Sequence, residues 1–246
     1  MVRRKSRNRG GSNHRGGRRR GGWKLRLFGA ILLAGLIAAG WLWWEQRTFR
    51  PDESVWPDQG ALVGARDGPV RMDTLAGLGA KFVYLEASDG ARRQDRALAE
   101  NLAAAREAGL QVGMVHTFDP CIAADGQSAN FVTVVPRDAE LLPPAILLDR
   151  TAEDCPARVT RAAIQSELLT LVNQIEAHAG KPAILAPSED FEDEYAIASR
   201  IDRNLWLTRN RVEPVYGGRP WIMWTANTAL ETEAAPGPLR WVVVRP

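Results

Sequence analysis

Asp149 ends the apolar run AILLD (145–149), and a carboxyl group at a strand end beside Leu147 and Leu148 is well placed to serve as a general acid. Glu86, Asp67 and Asp119 stand near the ends of other such runs. The chemistry to look for is therefore that of two carboxylates in one cleft: one protonates a leaving oxygen, the other stabilises developing positive charge. The competing reading is that each acid is a solvated or salt-bridged loop residue, with Arg150 adjacent to Asp149 as an obvious partner. His116 ends the run QVGMVHTF (111–118) and reads first as a hydrogen-bonded packing residue, second as a ligand contact. With His14 and His178 it completes three scattered histidines with no close acid cluster, so neither a metal nor a cofactor is expected. Ser88, Ser128 and Ser188 lack a G-x-S-x-G setting, which leaves a serine hydrolase unsupported. Trp206, Trp221, Trp224 and Trp241 gather toward the last strands; most read as core, and Trp224 is the ring best placed to stack on a ligand.

The elements that must position these groups follow from the rest of the chain. Its 246 residues carry 32 Lys+Arg against 29 Asp+Glu. Residues 1–26 hold eleven of the cations and no acid, so residues 27–246 have a net charge of −8. The basic pI thus belongs to the tail, and a basic globular nucleic-acid binder is excluded as the main expectation. The tail, RRKSRNRGGSNHRGGRRRGG, is too poor in apolar residues to form a core. It reads as a topogenic segment that contacts anionic lipid, with RNA binding the weaker alternative.

Residues 27–44, LFGAILLAGLIAAGWLWW, contain no charge and would span roughly 27 Å as a helix. Trp41, Trp43 and Trp44 suit an interfacial aromatic belt. A cleaved signal peptide is the rival reading, but its apolar region would be shorter and its cleavage site would carry small residues. The expectation is a single-pass inner-membrane anchor with the tail cytoplasmic and the remaining domain periplasmic. Residues 45–59 then form a linker, and 60–246 the exported domain. Outside the cytoplasm, Cys121 and Cys155 suggest a disulfide, the alternative being two free buried thiols.

Within that domain short apolar runs alternate with helical patterns. ALVGA (61–65), KFVYLEA (81–87), QVGMVHTF, AILLD, PAILAP (182–187), NLWLT (204–208), PWIMWT (220–225) and LRWVVV (239–244) read as strands. Helices are expected over 94–109, over 156–178 with Pro156 in the first turn, and from Ser188, with only loops between the last three strands. Such alternation implies α/β architecture: a parallel sheet covered by helices, and eight strands in about 190 residues fit a reduced, TIM-like (β/α) barrel. Functional groups would lie at the carboxyl ends of its strands.

From Lys81 onward the chain resembles glycoside hydrolase family 25, the Chalaropsis-type lysozymes (N-acetylmuramidases). The resemblance is carried by KFVYLEASDG, DRALAENLAAAREAGLQVGMVHTFDPC, Gln127, Asn130 and Phe131, VPRDAELLPPAILLD, Cys155-Pro156, GKPAILAPSEDF, NLWLT and WIMWT, in collinear order. It implies an eight-stranded β/α barrel, no metal, and cleavage of the β-1,4 bond between N-acetylmuramic acid and N-acetylglucosamine. A bacterial-type subset has cysteines where Cys121 and Cys155 stand. The family's acids map onto this chain residue by residue. Its first-strand Asp-x-Ser falls on Leu62 and Gly64, its fourth-strand Asp-x-Glu on Leu147 and Asp149, and its last-strand Asp on Arg240. The Gln-Tyr after the seventh-strand tryptophan becomes Thr225-Ala226, and a fifth-strand Tyr becomes Ala186.

Leucine cannot transfer a proton, and arginine inverts the sign of the group it replaces. The sequence therefore predicts a lysozyme-like barrel, a pseudoenzyme that binds peptidoglycan glycan strands through residues such as His116 and Trp224 but has lost most or all hydrolysis. The alternatives are a weakly active muramidase using Asp149, and a non-catalytic scaffold for an envelope protein.

Overall fold

The structure is a computed structural model that describes residues 22–246; the Arg/Gly-rich tail up to residue 21, with its expected lipid contact, lies outside the described residues. The chain divides into residues 1–44 and 45–246.

Helix α1 (Gly22–Thr48) contains the uncharged run and extends one turn beyond it, into the stretch expected to be linker. Leu27, Ile31, Leu36, Ile37 and Leu42 are all about half to two-thirds exposed. Apolar side chains point in every direction, so the helix has no polar face to turn to water. Its 23 residues from Arg26 to Thr48 span about 34 Å, long and apolar enough to cross a membrane. Within residues 45–246, Asn227 Nδ2 donates to the carbonyls of Gln46 (3.2 Å) and Phe49 (3.0 Å), and Glu231 N donates to that of Arg47 (2.8 Å).

Residues 45–246 form an eight-stranded barrel. Its strands are β1 (Gln59–Val63), β2 (Ala80–Asp89), β4 (Gln111–Thr117), β5 (Ala145–Leu148), β6 (Ile184–Pro187), β7 (Trp206–Thr208), β8 (Met223–Leu230) and β9 (Leu239–Val244), while β3 (Arg93–Gln94) only folds back on the end of β2. The spatial order is β6-β5-β4-β2-β1-β9-β8-β7, and β7 closes the ring on β6 through a parallel bridge between Leu185 and Leu205. The helices are α2 (Met72–Gly77), α3 (Leu98–Glu107), α4 (Ala124–Val134), α5 (Arg161–Ala179) and α6 (Glu189–Tyr195).

The strands alternate between two cores. Leu62, Tyr84, Val115, Leu147, Trp206 and Val242 point into the barrel, whereas Val63, Leu85, Met114, Ile146, Leu148 and Val243 face the outer layer. Inside, the Tyr84 ring packs at a 59° tilt against Trp206, centroids 5.1 Å apart, and Trp206 Nε1 donates to Thr225 Oγ1 at 2.8 Å. Gly113 makes room for this: a Cβ there would lie 2.3 Å from the Tyr84 ring. The interior is thus filled below the mouth rather than open from end to end.

Two expectations are corrected. The sheet is not wholly parallel, because β9 runs antiparallel to both β1 and β8. Only eight residues join β8 to β9, too few for a crossover helix, so the chain must turn straight back. The long helix α5 starts at Arg161 rather than Pro156, with Thr160 Oγ1 capping Ala163 N at 3.2 Å. Residues 155–159 are instead drawn into the loop bonded to Cys121. Gly180, with φ of 68°, ends the helix in the left-handed conformation as its sequence position implied. The buried stripe Ile164, Leu168, Leu171, Val172 and Ile175 holds α5 to the barrel; Leu171→Ala would cost about 2–5 kcal/mol.

Candidate functional site at the barrel mouth

Because β9 is antiparallel, its first residues lie level with the carboxyl ends of β1, β2, β4 and β5. There a groove of about 560 Å³ opens, lined among others by Arg66, Glu86, Ser88, Asp89, Asp149 and Arg150.

The positions that the resemblance marks for acids are occupied as follows. Leu62 on β1 pairs with Tyr84 on one side and Arg240 on the other, and is 2% exposed in the interior core. Leu147 is half-buried in the same core. Arg240 Nη2 donates to Glu86 Oε1 at 2.7 Å, and the same oxygen accepts from Arg66. Arg240 Nη2 also lies 3.7 Å from Asp67 Oδ2, which accepts from Gly64 N at 2.8 Å. Burial pushes the Asp67 carboxyl above the usual range, opposed by the Gly64 amide and Arg240. Gly64 belongs to this cluster by its emptiness: a Cβ would sit 2.3 Å from Glu86 Oε2 and 3.0 Å from Asp95 Oδ2.

A second cluster centres on Arg150. It pairs with Asp89, and lies 3.9 Å from Asp119 Oδ2 and 3.7 Å from Asp149 Oδ1. Arg93 also binds Asp89. Asp95 is spent on the backbone, accepting from Ala65 N (2.6 Å) and Ala97 N (2.7 Å). Of the strand-end acids picked out in the sequence, Glu86 and Asp149 line the groove while Asp67 and Asp119 do not, and each of the four has a guanidinium within 4 Å. Glycosidic cleavage by two carboxyls needs a donor free to reach the leaving oxygen and a second carboxylate facing the sugar carbon. Asp149, with 54% of its side chain exposed, is the most accessible of the family-matched positions.

His116 and Trp224 do not reach the groove. His116 is fully buried, with Nδ1 2.9 Å from Ser88 Oγ and Nε2 3.3 Å from Gln127 Oε1. Burial lowers its pKa to about 4, too weak a base to activate the neighbouring serine near neutrality. Trp224 is 3% exposed because strand alternation turns it outward; it packs on Trp56 and Trp221 and donates Nε1 to Arg209 O at 2.7 Å. The sequence reading passed over Arg66, Asp89 and Arg93. Asp89 was the findable one, standing just before Gly90 at the end of β2. Cys121 and Cys155 form a disulfide, joining the loop after β4 to the turn after β5 that carries Arg150. Among the described residues, no group of three or more His, Cys, Asp or Glu is placed to hold a metal ion.

A family model described as glycosyl hydrolases family 25 matches residues 64–229. No curated protein sequence matches the chain. Among solved structures, a family 25 glycosyl hydrolase from Bacillus anthracis is 22% identical with a TM-score of 0.72, over 80% of this chain and 92% of that one. A bacterial lysozyme from Streptomyces coelicolor is 16% identical with a TM-score of 0.67, over 75% and 90%. The Clostridium perfringens spore cortex lytic enzyme SleM is 18% identical with a TM-score of 0.67, over 79% and 69%. At these identities the likenesses establish a shared barrel fold.

Proposed function

Because this chain belongs to glycosyl hydrolase family 25, we propose that its barrel binds the glycan strands of peptidoglycan and no longer cuts them. The observation that carries this reading is the Arg240–Glu86 ion pair at 2.7 Å, above a core in which Leu62 and Leu147 take two acid positions. Arg240 places a fixed positive charge where an oxocarbenium-like centre would need a negative one. Glu86, the acid nearest that position, is engaged by two guanidinium groups. What survives is a mouth of about 560 Å³ rich in hydrogen-bonding groups, suited to holding a sugar chain.

On this reading α1 is an uncleaved inner-membrane anchor. The basic tail stays on the cytoplasmic side near anionic lipid, and the barrel reaches the wall from the periplasmic side. The disulfide is consistent with an oxidising compartment. Sedimentation with purified sacculi tests the binding: the protein should pellet with them, and a fully soluble fraction would leave an envelope protein as the remaining partner. Reporter fusions at the two ends test the topology.

A further inference from the structure

Resting on that reading of the mouth, we infer that Ser88 is a fixed hydrogen-bond acceptor in the groove wall, which takes a hydroxyl or acetamido N–H of a neutral sugar.

A serine hydroxyl ordinarily rotates to donate or accept as its partner requires. Here its proton is committed by a chain of contacts that begins well behind the groove. Gln127 Nε2 donates to the carbonyls of Asp119 (2.9 Å) and Ile122 (2.8 Å), which fixes the amide so that Oε1 can only accept. That oxygen accepts from Asp119 N at 2.8 Å and faces His116 Nε2 at 3.3 Å. His116 Nε2 must therefore carry a hydrogen. The ring is fully buried, and a buried imidazole is favoured in its neutral form, which leaves Nδ1 bare. At 2.9 Å from Nδ1, the Ser88 hydroxyl has to donate inward. Only oxygen lone pairs are then left for a ligand, and Ser88, 5% exposed, forms part of the groove lining.

The charged groups packed around this chain do not reverse it. Asp89 and Arg150 act on His116 in opposite directions, the former raising and the latter lowering its pKa, and they are themselves paired. The surrounding wall balances four arginines, Arg66, Arg93, Arg96 and Arg150, against four carboxylates, and Glu86, Asp89 and Asp149 each have an arginine within 4 Å. Ser88 is thus an uncharged point of this wall where a ligand must offer a hydrogen. A carboxylate or phosphate oxygen there would meet lone pairs head on, so the anionic parts of a ligand belong at the arginines and a neutral sugar ring at Ser88.

Calorimetric titration of the full-length protein with tetra-N-acetylchitotetraose tests this. Ser88→Ala should weaken binding about 5–10-fold, and Ser88→Thr, which keeps the hydroxyl, should stay within about twofold of the wild type. Equal affinity of wild type and Ser88→Ala overturns the inference while leaving glycan binding intact. Failure of the wild type to bind both this probe and sacculi overturns the glycan-binding reading, and the inference with it. Should Ser88→Ala fail to fold, a wild-type complex decides: Ser88 Oγ must lie within hydrogen-bond distance of a ligand O–H or N–H, and any other partner refutes it.

Discussion

Arg240 on β9 and Glu86 on β2 meet across the top of β1 at 2.7 Å, with side chains only 17% and 20% exposed. The pair bridges two strands that do not touch each other in the sheet, and it covers Leu62 between them. Removing Arg240 should leave the partly buried Glu86 with only the exposed Arg66 as counter-charge and take the guanidinium from beside Asp67. Arg240→Ala is expected to lower stability by about 1–3 kcal/mol, read as a lower urea midpoint with an unchanged slope.

Hydrolysis is the second point of test. Incubation with purified peptidoglycan, followed by zymography, should give no cleared band for the wild type. Asp149→Asn should behave identically. A band that appears with the wild type and vanishes in Asp149→Asn would establish a working muramidase and end the binding-only reading.

His116 makes stability depend on acidity. Its folded-state pKa is depressed to about 4 from 6.5, chiefly by burial. Between those values the unfolded chain binds a proton that the folded one refuses. The stability it contributes is therefore complete above about pH 6.5 and lost as pH falls through 4, amounting to about 3 kcal/mol. Thermal melts from pH 7.5 to 4 should show that decline, and His116→Gln should show a visibly shallower one.

The disulfide closes a separation of 34 residues between two loops of the mouth. Its reduction should cost about 2–4 kcal/mol and lower the melting temperature by several degrees. Because Cys155 follows Arg150 by five residues, reduced protein should also bind sacculi more weakly. Unchanged binding after complete reduction would show that the Arg150 cluster keeps its shape without the bond.

Reverting the degenerate site piecemeal should fail for a physical reason. Gly64→Ser brings a Cβ to 2.3 Å from Glu86 Oε2, so Glu86 must leave its arginines or the strand must shift. We expect a loss of about 1–2 kcal/mol and no gain of lytic activity. The same change in an Arg240→Asp, Glu86→Ala background should be better tolerated, which paired denaturation curves would measure.

Much of the barrel was readable in advance because strands buried on both faces show as short, near-continuous apolar runs. KFVYLEA and QVGMVHTF fall within a residue or two of β2 and β4, and LRWVVV coincides with β9. Short helices were harder. Met72–Gly77 has too few turns to show a period, and Ala124–Val134 buries Gln127, Ser128 and Asn130, so its inward face does not look apolar. Local sequence also could not say where Trp224 points. One residue of strand phase separates the interior from the outer layer, and that phase is set by pairing with β7 and β9. At the mouth, the sequence places Leu62, Leu147 and Arg240 where the resemblance expects acids. The arginine network around Glu86 was not legible, since Glu86 and Arg240 are 154 residues apart and only the closed sheet joins them.

The wall of the mouth is completed by a strand that a ribosome makes late. β1 has β2 on one flank and must wait for β9 on the other, so synthesis of nearly the whole domain precedes its second partner. A nascent chain would carry β1 with one bare edge through most of its synthesis. Chaperones that shield unpaired edges should therefore matter more to the yield of this protein than to an all-sequential bundle of equal size. A frameshift upstream of Leu239 would take away Arg240 and the lock at a stroke, leaving an unsealed sheet prone to aggregation.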